Sequence, residues 1–243
     1  MKFDSTTVEH LKGNKFSNAY SYPIALPEDE ILYRMDFIEN LVERKNVLHL
    51  GCTDHIPLIK EKIKKNLWFH KRLTEASETC LGIDIDADAI KYVKEELNFS
   101  NIIKHNIVLE DPRTEITNRI WDYMILGEIV EHLNNPYEFL KSVKEKYPSI
   151  KRLVITVPNA FCFANIISSF RQIEFINTDH RFWFTPFTLA KISILAGYKV
   201  ESFHFAQTLP RTKKTWKGSV KEMLLKRKPA YRDTLIMILI NEE

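Results

Sequence analysis

The chain has 243 residues, 44% of them hydrophobic and 12% aromatic, with a formal net charge of +3; this is ample for one packed core, short for two full-sized domains, and excludes disorder, collagen and disulfide scaffolds. The longest apolar run, Leu235 to Ile240, falls far below the roughly 20 residues of a membrane-spanning helix, and Met1-Lys2-Phe3-Asp4-Ser5 lacks the apolar region of a secretory signal, so a cytoplasmic location is expected. Cys52, Cys80 and Cys162 are odd in number and widely spaced without a CxxC, which points to neither a disulfide nor a zinc site.

Along the chain, apolar positions at helical spacing predict a helix over Asp29 to Arg44, with Ile31, Leu32, Met35, Ile38, Leu41 and Val42 on one face. Val47 to Leu50 reads as a strand closed by Gly51, and Gly82 opens a second strand at Ile83-Asp84-Ile85. Asp86 then caps a helix carrying Ile90, Val93 and Leu97. A third strand precedes His105-Asn106, and Tyr123 to Leu126 form a fourth, closed by Gly127. Pro136 begins a helix with Phe139, Leu140 and Val143, and Leu153 to Val157 form a fifth strand ending at Pro158. The stretch from Phe161 to Trp183 is rich in aromatics and helical around Ala164 to Phe170; it reads as a packing helix or as a lid over an acceptor. Thr185-Pro186 starts a helix with Leu189, Ile192 and Leu195 that Gly197 stops. Strands near Tyr198 to Phe205 and at Thr234 to Ile240 complete seven. Strands alternating with helices predict a doubly wound, mostly parallel seven-stranded Rossmann-like α/β sheet covered on both faces, with its last strand antiparallel. Residues 1–45 form an N-terminal cap on the core of residues 46–243, which carries a lid-like insert at 160–184 and a basic insert at 209–232. Between Arg211 and Arg232, nine basic residues face Glu222 alone. Such a segment is either a solvated helix face or a contact for phosphate, RNA or an acidic membrane surface.

In an open α/β sheet, ligands sit beyond the carboxyl ends of the strands, and the polar residues of this chain gather there. Asp84, about 33 residues after the first glycine turn, is placed to accept both hydroxyl protons of an adenosine ribose. Gly51-Cys52-Thr53-Asp54-His55 has too few glycines for the close backbone approach of a pyrophosphate. That disfavours nicotinamide and flavin cofactors and suits an adenosine cofactor without one.

Val47-Leu48-His49-Leu50-Gly51-Cys52, Leu81-Gly82-Ile83-Asp84-Ile85-Asp86 and the run from Asp122 through Glu128-Ile129-Val130-Glu131-His132 to Pro136 together resemble the motifs of class I S-adenosylmethionine-dependent methyltransferases, over roughly residues 45–205. The resemblance implies S-adenosylmethionine as cofactor, S-adenosylhomocysteine as product, and a cofactor site at Gly51, Cys52, Thr53, Asp84, Ile85, Asn106, Gly127 and Glu128. His49, Thr53 and His55 depart from the family pattern, and Asn106 stands where relatives often have an aspartate. Val157-Pro158-Asn159-Ala160-Phe161 and Asp179 to Leu189 look like a branch of sugar and small-molecule methyltransferases of surface-polysaccharide pathways. That implies O-methylation of a small acceptor, a phosphorylated or nucleotide-linked sugar.

A hydroxyl needs to lose its proton to attack a methyl sulfonium, and an imidazole is the simplest acceptor; His180 and His132 are the candidates, ahead of His70 and His55. A second reading makes Glu128, Glu131 and His132 ligands of a divalent cation, since ExxEH at a helix start places them within one turn. This spacing resembles the metal site of ubiquinone-pathway and small-RNA 3′-end O-methyltransferases, the latter with a further histidine where His180 stands. Two other functions stay open: an RNA 2′-O-methyltransferase using the basic segment on the backbone, and a catalytically silent binding subunit.

Overall fold

The computed structural model describes residues 1–209 and 216–242, and for 216 and 217 the backbone alone. Seven strands form one sheet: β1 (Asn46–Leu50), β2 (Thr79–Asp84), β3 (Ile102–Lys104), β4 (Tyr123–Gly127), β5 (Arg152–Pro158), β6 (Lys199–Ala206) and β7 (Thr234–Ile240), in the order β3-β2-β1-β4-β5-β7-β6. β1 pairs parallel with β2 and β4, and β7 is inserted antiparallel to both β5 and β6. The strand order reverses between β1 and β4, so the loops after those two strands diverge and leave a crevice at their carboxyl ends.

The helices are α1 (Ser5–Lys12), α2 (Arg34–Val42), α3 (Ile56–Lys64), α4 (Phe69–Ala76), α5 (Ala87–Leu97), α6 (Thr114–Thr117), α7 (Pro136–Lys146), α8 (Phe163–Phe170), α9 (Pro186–Leu195) and α10 (Trp216–Arg227). Alternate strand residues face opposite layers. Leu48, Met124, Leu126, Leu153 and Ile155 pack with Leu11 of α1, Leu140 of α7 and Leu189 of α9. Val47, Ile125 and Val154 pack instead with Ile38 and Val42 of α2 and Leu73 of α4. Ile59 of α3 and Val93 of α5 close the β2–β3 edge over Ile102. The central strands are thus buried on both faces, as their near-continuous apolar runs require.

The caps sit where the residue types favour them. Asp86 accepts the N–H groups of Asp88 and Ala89 at 3.0 Å, Asn135 caps α7 ahead of Pro136, and Thr185 forms a capping box with Thr188. One expected helix is shorter than its periodicity: residues 29–33 are not helical, and α2 starts at Arg34. The N–H of Gln207 donates to Leu32 O at 2.8 Å and the N–H of Arg34 to Gln207 O at 3.0 Å. An extended pairing at the end of β6 therefore wins over the local helical pattern. Among the described residues, no helix is long and apolar enough to cross a membrane.

Candidate functional site

At the carboxyl ends of β1 to β4 lies a cleft of about 700 Å³ lined by Leu50, Gly51, Asp84, Ile85, Asn106 and the apolar side chains of Ile107, Leu109, Ile129 and Leu133. Gly51 turns the chain at φ +66, and a Cβ there would lie 2.7 Å from Ile129 Cδ1, so both the backbone conformation and the close approach demand glycine. Asp84, at the tip of β2, is clamped from both sides. Its Oδ2 accepts the N–H and hydroxyl of Thr53 at 2.9 and 2.8 Å, and its Oδ1 accepts the N–H groups of Ile85 and Asp86 at 2.8 and 3.1 Å. These four donors fix the carboxylate at the cleft and take up the roughly four acceptor positions of its two oxygens, so a ligand hydroxyl has to share or displace one of them. Asn106 Oδ1 accepts the N–H groups of Val108 and Leu109, shaping the turn that forms the far wall.

Of the eight residues expected at the cofactor, Gly51, Asp84, Ile85 and Asn106 line this cleft. Thr53 orients Asp84 from behind. Cys52 is buried, and burial pushes its thiol well up from its ordinary value. Gly127 gives room to the ring of Phe69, 3.2 Å from where its Cβ would be. Ile107, Leu109, Ile129 and Leu133 escaped the sequence reading because irregular segments after strands carry no periodicity. His105, which also lines the cleft, is locked between Glu110 at 3.0 Å and the hydroxyl of Tyr147 at 2.9 Å. His70 lies buried against His49, 3.2 Å between their Nδ1 atoms, away from the cleft; burial pushes both imidazoles down, His70 to about 4.

The turn after β4 forms a second group. Glu128 has φ +57, uncommon for a side chain with a Cβ. Its Oε1 is held by Arg34 Nη1 at 3.0 Å and by the hydroxyl of Thr156 at 2.9 Å. Arg34 is a site residue that sequence reading missed, because it reaches the turn from α2, 94 positions away in the chain. Two positions after Ile129 the chain buries Glu131 completely, and among the described residues neither of its carboxylate oxygens has a hydrogen-bond partner. Its carboxyl is pushed up to about 8, first by burial and then by the negative charge of Glu128. Beside it, His132 donates from Nδ1 to the carbonyl of Asp179 at 3.1 Å, which leaves the Nε2 lone pair 4.0 Å from Glu131 Oε1.

His180 meets His132 edge to face with ring centroids 4.7 Å apart. Its Nδ1 is buried without a partner, and burial together with the neighbouring His132 pushes the imidazole down. One donor atom from each of Glu131, His132 and His180 lies within 4.8 Å of the other two. A buried carboxylate lacking hydrogen bonds and two imidazoles with free lone pairs suit a divalent cation, and the Nδ1–H to carbonyl bond of His132 is the outer contact such a ligand commonly has. The expected metal set of Glu128, Glu131 and His132 is thus joined by His180, while Glu128 is engaged with Arg34.

Residues 160–184, expected as a packing helix or a lid, include α8. No residue of α8 is buried, and Phe170 and Phe175 are 82% and 80% exposed. The basic insert is less available than its composition implies. Arg232 is fully buried, with Nη1 on Glu28 Oε2 at 2.7 Å and on Phe205 O at 3.0 Å, and Nη2 on Glu30 O at 3.0 Å. Its charge is spent inside the fold, which corrects its inclusion among phosphate contacts. Arg211, Lys213 and Lys214 lie outside the described residues, as does the side chain of Lys217; Lys221, Arg227 and Lys228 are exposed on or just after α10.

At the level of sequence, no curated protein matches the chain. Its fold is similar to that of magnesium protoporphyrin IX methyltransferase from Synechocystis, solved with bound S-adenosylhomocysteine, at TM-score 0.52 and 12% identity over 86% of this chain and 82% of that one. It is similar also to the structure of the Haloferax volcanii protein in complex with the Trm112 methyltransferase activator, at TM-score 0.53 and 14% identity over 83% and 85% of the two chains. A third likeness, to the small RNA methyltransferase HEN1 at TM-score 0.53 and 17% identity, covers 92% of this chain and 27% of that one. A family model described as a methyltransferase domain matches residues 27–202, a span that includes the cleft, the turn after β4 and the whole parallel part of the sheet. Sequence model and topology therefore converge, and the chain belongs to the methyltransferase-domain family.

Proposed function

We propose that the protein is an S-adenosylmethionine-dependent O-methyltransferase whose acceptor is a sugar carried on a nucleotide diphosphate or another anionic carrier, with Glu131, His132 and His180 holding a divalent cation at the reacting hydroxyl. The carrying observation is the Glu131 carboxylate, fully buried with both oxygens unpartnered beside two imidazole lone pairs. Burying such a group without partners is costly. An arrangement of this kind is retained where a cation or substrate completes it.

The cleft fits the donor. Gly51 lets the chain pass close to Ile129 at the cleft, Asp84 stands there with a fixed carboxylate that ribose hydroxyls would share with its protein donors, and exposed Ile85 and Leu109 offer apolar cover for a flat base. S-adenosylmethionine supplies an electrophilic methyl group on a sulfonium, and a divalent cation supplies a fixed positive charge that lowers the pKa of a neighbouring hydroxyl. The chain's own work is positioning, which converts two reactants into one near-attack arrangement. Arg34 and Thr156 hold the strained Glu128 turn, and that turn fixes Glu131 and His132 at the edge of the cleft. Arg181 ties the 179–184 segment to the same turn through its N–H to Glu131 O at 2.8 Å, which seats His180. Without a cation, the lone pairs of His132 and His180 are the proton acceptors in reach.

A ribose hydroxyl of RNA is a second acceptor class, favoured by the exposed Lys221, Arg227 and Lys228; it requires RNA binding that falls steeply with salt. The test of the leading reading is calorimetric titration of Mn²⁺ into chelator-treated protein. Wild type is expected to bind one ion per chain, and Glu131→Gln and His180→Ala to lose that binding. Activity that survives exhaustive chelation, with no Mn²⁺ bound, sinks the cation and leaves the two histidines as bases.

A further inference from the structure

Next to the Glu131, His132 and His180 group runs a separate cleft of about 330 Å³ between α8 and the segment that leads back to α9. Two aromatic rings, Phe175 and Trp183, face it together with Asn165, Ser168, Ser169 and Glu174. Trp183 belongs to both places, since its indole meets the ring of His180 edge-on at 6.5 Å between centroids. We infer that this cleft is the subsite for the uncharged ring of the acceptor, a monosaccharide whose C–H face lies on Phe175 or Trp183 and whose hydroxyls meet Asn165, Ser168, Ser169 and Glu174. The inference rests on the sugar O-methylation reading above and assigns residues that select the acceptor.

Three observations carry it. First, Phe175 is 80% exposed and lines the cleft together with Trp183, so its ring contributes little to the core and is free to cover the apolar face of a ligand. Second, two of the polar groups already spend a donor on the backbone. Ser169 donates its hydroxyl proton to Ile166 O at 2.9 Å and keeps its lone pairs for a ligand, while Asn165 donates to Ala160 O at 3.3 Å and keeps its carbonyl. With the carboxylate of Glu174, the wall asks for hydroxyl donors and repels phosphate. Third, the volume stands at the lower end of the range for ligand pockets, suited to one ring rather than to several nucleotides.

The experiment is saturation-transfer NMR on the full chain with the methyl glycosides of glucose, mannose, galactose and rhamnose, and with single-stranded oligouridylate as a competing probe. S-adenosylhomocysteine affinity is measured by calorimetry on the same samples. At least one glycoside is expected to receive saturation at its ring C–H protons, with binding roughly tenfold weaker in Phe175→Ala and the S-adenosylhomocysteine affinity unchanged. Glu174→Gln is expected to weaken the glycoside several-fold, because a charge-assisted hydrogen bond is lost; a phosphodiester occupant would be strengthened instead. The subsite is overturned if no glycoside receives saturation, if Phe175→Ala changes nothing, or if oligouridylate displaces the glycoside and binds more tightly to Glu174→Gln. S-adenosylhomocysteine binding without glycoside binding removes the subsite and leaves the methyltransferase reading standing. Glycoside binding lost in Phe175→Ala, in a protein that does not bind S-adenosylhomocysteine, keeps the subsite and removes the donor reading.

Discussion

Two carboxylates, one at the end of β2 and one in the turn after β4, are held in opposite ways. Asp84 accepts four protein donors and stays oriented, whereas Glu131 accepts none and is fully buried. For Asp84 the consequence is affinity. On the proposed ribose-binding role, a charged acceptor contributes roughly 1.5–3 kcal/mol per bond, so Asp84→Ala is expected to weaken S-adenosylhomocysteine binding about 100-fold or more, read by calorimetry; undiminished binding would remove ribose recognition from this residue. For Glu131 the consequence is a pH dependence. Between its ordinary value of 4.5 and about 8 the unfolded chain has released this proton while the folded chain retains it. Stability from this group is therefore fully present below about 4.5 and lost as pH rises through about 8, in the absence of a cation. Thermal melts in chelator are expected to show Glu131→Gln more stable than wild type near pH 8.5, with the difference shrinking toward pH 5. A gap that does not vary with pH would refute the assignment.

At the scale of the element, the loop after β1 depends on a conformation and a contact at once. Gly51→Ala places a Cβ at φ +66, and that Cβ meets Ile129 Cδ1 at 2.7 Å. A loss of about 1–3 kcal/mol is expected in denaturant unfolding, together with weaker S-adenosylhomocysteine binding. Adding Ile129→Val is expected to restore only part of the loss, since it relieves the contact and not the dihedral; complete rescue would show that the contact alone matters. The same scale shows where local patterns rule and where they yield. Asp86, Pro136 and Thr185 mark helix starts because their effect is confined to neighbouring N–H groups. Ile31 and Leu32 fit a helical face, yet Gln207 recruits the backbone of Leu32 and Arg34 into an extended pairing, and no local pattern contains Gln207.

Across the whole molecule, the N-terminal segment is part of the core that positions the site. Leu11 is fully buried in the layer with β1, β4 and α7, Phe3 stacks on Phe203 at 4.7 Å, and Arg34 supports the turn of Glu128. Leu11→Ala is expected to cost about 2–4 kcal/mol within a single unfolding transition reported equally by far-UV and aromatic signals. A separate early transition would show residues 1–45 melting apart from the sheet. Charge also has to be judged at this scale, because nine basic residues in one stretch of sequence do not make one basic surface. Arg232 lies inside, bonded to Glu28 and to three backbone carbonyls.

The sequence by itself determined the alternation of strands and helices, the glycine turn at Gly51, the acidic strand end at Asp84 and the family, because each of these depends on residues close together in the chain or on strand ends that the topology always brings to one edge. Only the tertiary structure decided the rest: that Cys52 is buried, that Phe69 packs against Gly127, that Thr53 bonds to Asp84, that donor atoms of Glu131, His132 and His180 come within 4.8 Å of one another, and that Arg34 braces Glu128. These depend on burial and on contacts between distant segments. A carboxylate such as Glu131 has the same letter in solvent as in the core, and its chemistry changes only when folding removes its water.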